Sequence, residues 1–220
     1  RAYTHLLTGF TCAKMSQICA WFTSSEIARF SRNVEFGEMI EIERGLFQHW
    51  VVYIGRLSDV KETVDAYYYK KFVDILTCKG FARFLYCNDF LVLELNTQSM
   101  LIGASSCGSF GRSGCSINRL VDVAGDSKFR VRYEYQDPKP NDEMMESIIE
   151  HLKGNHPPYN AITYNCEHVA NAVRYGRPVS NQSITNVAHG AVCVAAILFP
   201  PIRAVTLLVT GFRIFNKLWG

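Results

Sequence analysis

Cys166 and His49 are the residues of this chain whose types and settings suggest chemistry. Cys166 follows Asn165, a good helix N-cap, and the residues after it predict a helix that ends at Gly176. A thiol in the first turn of a helix is favoured as the thiolate, because free N–H groups and the helix dipole point towards it. A distant histidine can then serve as the base of a cysteine-dependent acyl-transfer enzyme. The alternative for Cys166 is a buried structural cysteine.

His49 is the candidate general base. It lies in residues 48–55, whose aromatic and β-branched side chains predict a strand. The alternative is a histidine that is simply packed in a sheet. His168 competes for the role, but it lies two residues after Cys166 on the predicted helix, and positions i and i+2 of a helix do not face each other. We therefore interpret His168 as a helix-stabilising or packing residue.

A third group usually orients the imidazole of such a pair. Our candidate is Glu94, on the apolar segment 90–95 that predicts another strand, and Asn96 is the second choice. The alternative for Glu94 is a solvated strand glutamate. None of the eight cysteines forms a Cys-x-x-Cys pair, and the histidines lack ligand spacing, so we expect neither a metal site nor a cofactor.

The elements that must hold these residues indicate an α+β fold, because strand patterns come first and helices follow. We expect an antiparallel sheet with packed helices. Residues 103–116, rich in Gly and Ser, should form a loop, and Asn141 should cap a helix that Gly154 stops. The predicted strands cover residues 39–43, 49–54, 90–95 and 129–135, and the predicted helices start at Asn141 and at Asn165 or Cys166.

Four regions can be distinguished along the chain. Residues 1–33 show no clean period and are interpreted as an N-terminal appendage; residues 34–180 form the predicted catalytic domain, with a helical insertion at 56–88. Residues 187–215 are an apolar tail that we expect to anchor the protein in a membrane as a helix, although Pro200-Pro201 interrupts it and a buried helix pair is the alternative. Because the sequence begins with Arg1, we expect a fragment, a processed product or a trimmed chain.

The bulk composition indicates a globular domain and gives no support for nucleic-acid binding. With 48% hydrophobic residues in 220 the chain can build a core, and its net charge of +3 has no basic stripe that would favour nucleic acid. The cysteines are irregularly spaced and no secretory signal is visible, which favours a reducing, cytosol-facing compartment.

Three segments together resemble the lecithin:retinol acyltransferase-like family. The segment 37–55 is similar to its "H-box", Asn165-Cys166-Glu167-His168 to its "NC" motif, and residues 121–135 to the stretch between them. The nearest branch is the phospholipase A and acyltransferase group, also called the H-Ras-like suppressor proteins. The resemblance implies a permuted papain-like fold related to NlpC peptidases, with Cys166 as nucleophile and His49 as base.

The resemblance also implies phospholipid substrates and a membrane-associated enzyme. The fatty acyl group would form a thioester with Cys166 and pass to water or to an amine or hydroxyl acceptor. A retinol-type O-acyltransferase and a catalytically weak membrane-remodelling or interaction protein are the alternatives. Two departures matter: Glu94 stands where the group has a second histidine, and the insertion separates Gly55 from Asp89, which are near neighbours in the group's pattern.

Overall fold

A computed structural model describes residues 20–45, 47–96, 114–132, 137–160, 162–185 and 187–188. The chain divides into two compact units, Arg1–Asn160 with Tyr164–Val179, and Ala161–Thr163 with Ser180–Gly220. All the strands and helices labelled below lie in the first unit. In the second unit, residues 181–185 are helical.

One antiparallel sheet holds five strands in the order β4-β3-β2-β1-β5. Its strands are β1 (Met39–Arg44), β2 (Phe47–Gly55), β3 (Leu91–Asn96), β4 (Gly114–Arg119) and β5 (Phe129–Arg132). Side chains of β2 alternate as predicted: Trp50 and Val52 pack in one buried cluster, Val51 and Tyr53 in another. The predicted α+β class and the antiparallel sheet are confirmed, and the permuted papain-like topology stays a prediction.

Strand β4 contradicts part of the predicted loop at 103–116, since Gly114–Ser116 belong to it. Only Ile117 of this strand is fully buried, so its sequence carries almost no apolar alternation. It is a strand nevertheless because it pairs with β3 along its whole length, from Leu91↔Arg119 to Asn96↔Gly114.

Six helices accompany the sheet in the described part of the first unit. They are α1 (Ile27–Phe30), α2 (Leu57–Thr63), α3 (Ala66–Cys78), α4 (Leu120–Ala124), α5 (Asn141–Lys153) and α6 (Cys166–Tyr175). Short 3-10 helices lie at Ser24–Glu26 and Ala82–Tyr86. The predicted insertion is therefore helical, as its spacing indicated, and Phe72 and Leu76 of α3 are buried in the same cluster as Val52.

Helix α5 has an apolar stripe at helical spacing, including Met145 and Ile149. Its end was predicted correctly: Gly154 adopts φ of 90°, a left-handed conformation that favours glycine. The helix starts at Asn141 as predicted, but the predicted cap was wrong, because Pro140 is the N-cap and Asn141 is the first helical residue. The Asn141 side chain instead donates a hydrogen bond to the carbonyl of Thr63, at 3.4 Å.

The described part of the N-terminal region packs against the sheet. Phe22 exchanges backbone hydrogen bonds with Phe129 of β5, at 2.8 and 2.9 Å, and both Phe22 and Phe30 are buried. Residues 20–33 of the segment interpreted as an appendage thus contribute two aromatic rings to the core, and residues 1–19 lie outside the described residues.

The described residues include no helix that is both long enough and apolar enough to cross a membrane. The apolar tail predicted at 187–215 lies outside the described residues, apart from 187 and 188. Its role as a membrane anchor therefore stays a prediction.

Candidate active site

Cys166 is the first residue of α6, and it is buried, with 9% of its surface exposed. Asn165 is the N-cap, as predicted: its Oδ1 accepts hydrogen bonds from the backbone N–H groups of Glu167, at 3.0 Å, and His168, at 3.2 Å. This local chemistry starts the helix at the cysteine and directs the positive end of the helix dipole towards the thiol.

His168 closes the capping box at the same end of α6. Its Nδ1 accepts a hydrogen bond from the backbone N–H of Asn165 at 3.1 Å, so the nitrogen that would take a proton is already in use. Burial lowers the pKa of His168, partly opposed by the charge of Glu167. These contacts agree with the interpretation of His168 as a helix-stabilising residue.

His49 and Glu94 meet across β2 and β3. Val51 lies opposite Glu94 in the ladder, and His49, two residues before Val51, shares their face and lies diagonally across from the carboxylate. The two atoms His49 Nε2 and Glu94 Oε2 are 3.3 Å apart, and both side chains are largely shielded, with 16% and 14% exposure.

His49 also interacts with Cys166. Burial by itself lowers the pKa of His49, but hydrogen bonds to Cys166 and Glu94, together with their negative charges, raise it to about 9. At neutral pH the imidazole therefore carries the proton, and its N–H groups are the donors. The structure thus brings Cys166, His49 and Glu94 into one interacting group, although they are far apart in the sequence.

Asn118 was missed by the sequence reasoning. Its Nδ2 donates hydrogen bonds to Glu94 Oε1, at 2.5 Å, and to Ser116 Oγ, at 3.1 Å. Glu94 is thus held from both sides, by His49 on one oxygen and by Asn118 on the other. The available signal was weak: polar residues alternate around Ile117, but the preceding Gly- and Ser-rich stretch obscured the strand.

The remaining candidates do not change this arrangement. The side chain of Asn96, the second choice for the orienting group, lies outside the described atoms. No group of three or more His, Cys, Asp or Glu side chains suited to a metal ion occurs among the residues described here.

Comparison with known proteins gives consistent matches. A family model described as "Lecithin retinol acyltransferase" matches residues 32–179, nearly the range 34–180 assigned above to the catalytic domain. Phospholipase A and acyltransferase 2 of Homo sapiens is 26% identical over 170 residues, covering 73% of this chain and 84% of the relative. Phospholipase A and acyltransferase 1 of Mus musculus is 26% identical over 170 residues, covering 76% and 82%. Phospholipase A and acyltransferase 4 of Homo sapiens is 29% identical over 149 residues, covering 64% and 70%.

Proposed function

This chain belongs to the lecithin retinol acyltransferase family, and we propose that it is a cysteine-dependent phospholipase A and acyltransferase. The observation that carries the proposal is the interaction of His49 with both Cys166 and Glu94. The names of the similar proteins support the same reaction class.

In the proposed resting state, Cys166 is a thiolate and His49 an imidazolium. The raised pKa of His49 favours this ion pair, because the imidazole holds the thiol proton more firmly than an isolated histidine would. Since Nε2 faces Glu94, Nδ1 is the ring nitrogen left for the sulfur. Glu94 stands where the family pattern has a second histidine, and its negative charge stabilises the imidazolium of His49 more than a neutral imidazole would. Asn118 keeps the carboxylate of Glu94 in place.

In the first half-reaction the Cys166 sulfur attacks the carbonyl carbon of a fatty acyl ester. The carbonyl oxygen becomes an oxyanion, and the backbone N–H of Cys166 is a suitable donor, because the N–H groups of Glu167 and His168 are already bound by Asn165. Collapse of the intermediate breaks the ester C–O bond, and His49 gives its proton to the departing glycerol oxygen. The products are a lysophospholipid and an acyl thioester on Cys166.

In the second half-reaction neutral His49 takes a proton from water, an amine or a hydroxyl group. The resulting nucleophile attacks the thioester carbonyl and breaks the C–S bond. The fatty acid or the acylated acceptor leaves, and the thiolate–imidazolium pair is restored. Water makes the enzyme a phospholipase, and an amine or hydroxyl acceptor makes it an acyltransferase.

The test uses the full chain with acyl-labelled phosphatidylcholine, with phosphatidylethanolamine as the amine acceptor. We expect release of fatty acid and N-acylated product, and a labelled thioester that Cys166→Ala abolishes. Cys78→Ala is the matched control, since Cys78 is an exposed free cysteine on α3. His49→Gln should slow acylation by a factor on the order of 100. Acylation of the Cys166→Ala protein would refute the assignment of the nucleophile.

We also propose that the enzyme is membrane-associated, with its catalytic domain facing the cytoplasm and residues 187–215 as a single C-terminal anchor. Support comes from the apolar composition of that segment, which is about as long as a membrane span requires. Removing residues 187–220 should move the protein to the soluble fraction with its circular dichroism retained. Persistence in the membrane fraction would contradict the anchor.

A further inference from the structure

A cleft of about 520 Å³ lies among the described residues of the first unit. Its walls come from three separated parts of the first unit: the C-terminal end of α3 with Phe81, the start of β4, and the end of α5 with residues 154–158. It is therefore formed partly by the helical segment 56–88, which the sequence analysis interprets as an insertion.

Two parts of the cleft wall lie close in sequence or in the strand ladder to the elements of the candidate active site. Cys115 lines the cleft and lies opposite Leu95, the neighbour of Glu94, in the β3–β4 ladder. Burial, assisted by the charge of Glu94, raises the pKa of Cys115 to about 12, so this thiol is neutral. On the other wall Pro158 is followed by Tyr159, whose pKa is raised by burial and by the charge of Cys166. Leu152 of the cleft belongs to the same buried cluster as Cys166, and Cys115 and Tyr159 pack against that cluster, so the cleft and the nucleophile border one part of the core.

The cleft carries positive charge and no described carboxylate. Lys79 and Lys153 are its charged lining residues. Lys153 is bound to Glu150 at 2.6 Å, whereas exposed Lys79 has no ion pair among the described residues. The imidazole of His156 adds a polar atom, because its Nε2 is buried without a hydrogen-bond partner in the described part of the chain. These groups suit an anion.

Apolar side chains form the rest of the wall, including Phe81, Leu152 and Pro158. An anion bound here would therefore need an apolar portion to fill the remaining surface. A phosphate on a glycerol that carries fatty acyl chains has both parts, and a lysine ammonium is a common point-charge partner of phosphate.

We propose that this cleft binds the phosphate of the glycerophospholipid acyl donor, with Lys79 as the charged contact; the inference rests on the proposed function. The insertion then has a role in substrate binding, since it supplies both Lys79 and Phe81 to the cleft. Lys79 acts in binding, while the chemistry stays with Cys166 and His49.

Binding is measured in the full chain carrying Cys166→Ala, so that the result does not depend on turnover. The probes are dihexanoylphosphatidylcholine below its micelle concentration, dihexanoylglycerol, which lacks the phosphate, and inorganic phosphate. Lys79→Met should weaken binding of the phospholipid about tenfold and leave dihexanoylglycerol unchanged, because one charge–phosphate contact is lost. Lys79→Arg should restore binding, and Lys61→Met, an exposed lysine of the insertion outside the cleft, should have no effect.

If Lys79→Met weakened binding of the phospholipid and of dihexanoylglycerol equally, or weakened neither, the proposal would be overturned. If inorganic phosphate bound as tightly as the phospholipid, the cleft would be a site for free phosphate and the assignment to a lipid headgroup would be wrong; much weaker binding of inorganic phosphate supports the headgroup. If the unmodified protein lacks phospholipase and acyltransferase activity but the Cys166→Ala protein binds phospholipid through Lys79, the proposed function is refuted and the assignment of the cleft stands. The failure of one proposal can therefore be distinguished from the failure of the other.

Discussion

Replacing Glu94 with glutamine tests whether its charge sets the protonation of His49. The Glu94 Oε2 and His49 Nε2 atoms are 3.3 Å apart and shielded from solvent. An opposite charge at such a distance moves a pKa by about 1 to 3 units. Because glutamine keeps an acceptor oxygen, we expect the pKa of His49 to fall by about 1 to 2 units from its value of about 9.

The pH dependence of kcat/KM reports this change. The thiolate–imidazolium pair is lost as the pH rises through the pKa of His49, so activity of the unmodified protein should decline above pH of about 9. In Glu94→Gln the decline should begin about 1 to 2 pH units lower. Glu43→Gln, an exposed strand glutamate of β1, is the control. An alkaline limb at the same pH in all three proteins would refute the role of the Glu94 charge.

The pH dependence of the free energy of unfolding provides a second test of the interaction between His49 and Glu94. The pKa of His49 is higher in the folded protein than its ordinary value of 6.5, so the stabilisation is complete below pH 6.5 and is lost as the pH rises towards about 9. At about 1.4 kcal/mol per pKa unit, the whole shift is worth about 3 kcal/mol, and Glu94 supplies only part of it, because Cys166 also raises the pKa of His49. In urea denaturation, Glu94→Gln should therefore lower the free energy of unfolding more at pH 6 than at pH 10. Equal losses at both values would contradict the argument.

Three further substitutions test the surroundings of the site. Asn118→Leu removes the donor to Glu94, and we expect a loss of kcat of about tenfold, roughly the value of one hydrogen bond to a charged group, measured with labelled phospholipid. Asn165→Ala removes the helix cap, and the free energy of unfolding in urea should fall by about 1 to 2 kcal/mol. Gly37→Ala places a Cβ against the sulfur of Met144 at φ of 79°, and should lower the melting temperature more than Gly45→Ala, where φ is 68° and the space is open.

Each of these tests has an outcome that would count against it. In the Glu94→Gln background, Asn118→Leu should reduce kcat only slightly, because the effects of substitutions within one hydrogen-bond network are not additive. A further tenfold loss of kcat would mean that Asn118 acts through a group other than Glu94. Asn33→Ala is the control for the cap, and equal destabilisation would remove the special role of Asn165. Equal melting temperatures for Gly37→Ala and Gly45→Ala would show that the neighbouring methionine side chain moves aside without cost.

Local chemistry explains what was predictable. The start of α6 follows from Asn165, whose side chain binds the N–H groups two and three residues later, and the end of α5 follows from Gly154. The strand character of β2 is equally local, because its alternating apolar residues are buried in two different clusters. The family resemblance, which was based on segments 37–55, 121–135 and 165–168, is confirmed by the match over residues 32–179.

The N-terminal region and β4 were not predictable in this way. Phe22 is buried only because β5 offers a pairing edge more than a hundred positions later, and β4 is a strand only because β3 lies beside it. Neither segment carries a strong period of its own, so long-range pairing decided its conformation.

By itself, the amino-acid sequence determined where Cys166 and His49 lie in their own elements, because capping and strand alternation act over a few neighbouring residues. The tertiary structure alone decided that Glu94 reaches His49, that Asn118 holds the other oxygen of Glu94, and that the insertion forms a cleft with the end of α5. Those relations depend on strand register and helix packing, which join side chains tens of residues apart and leave no local pattern to read.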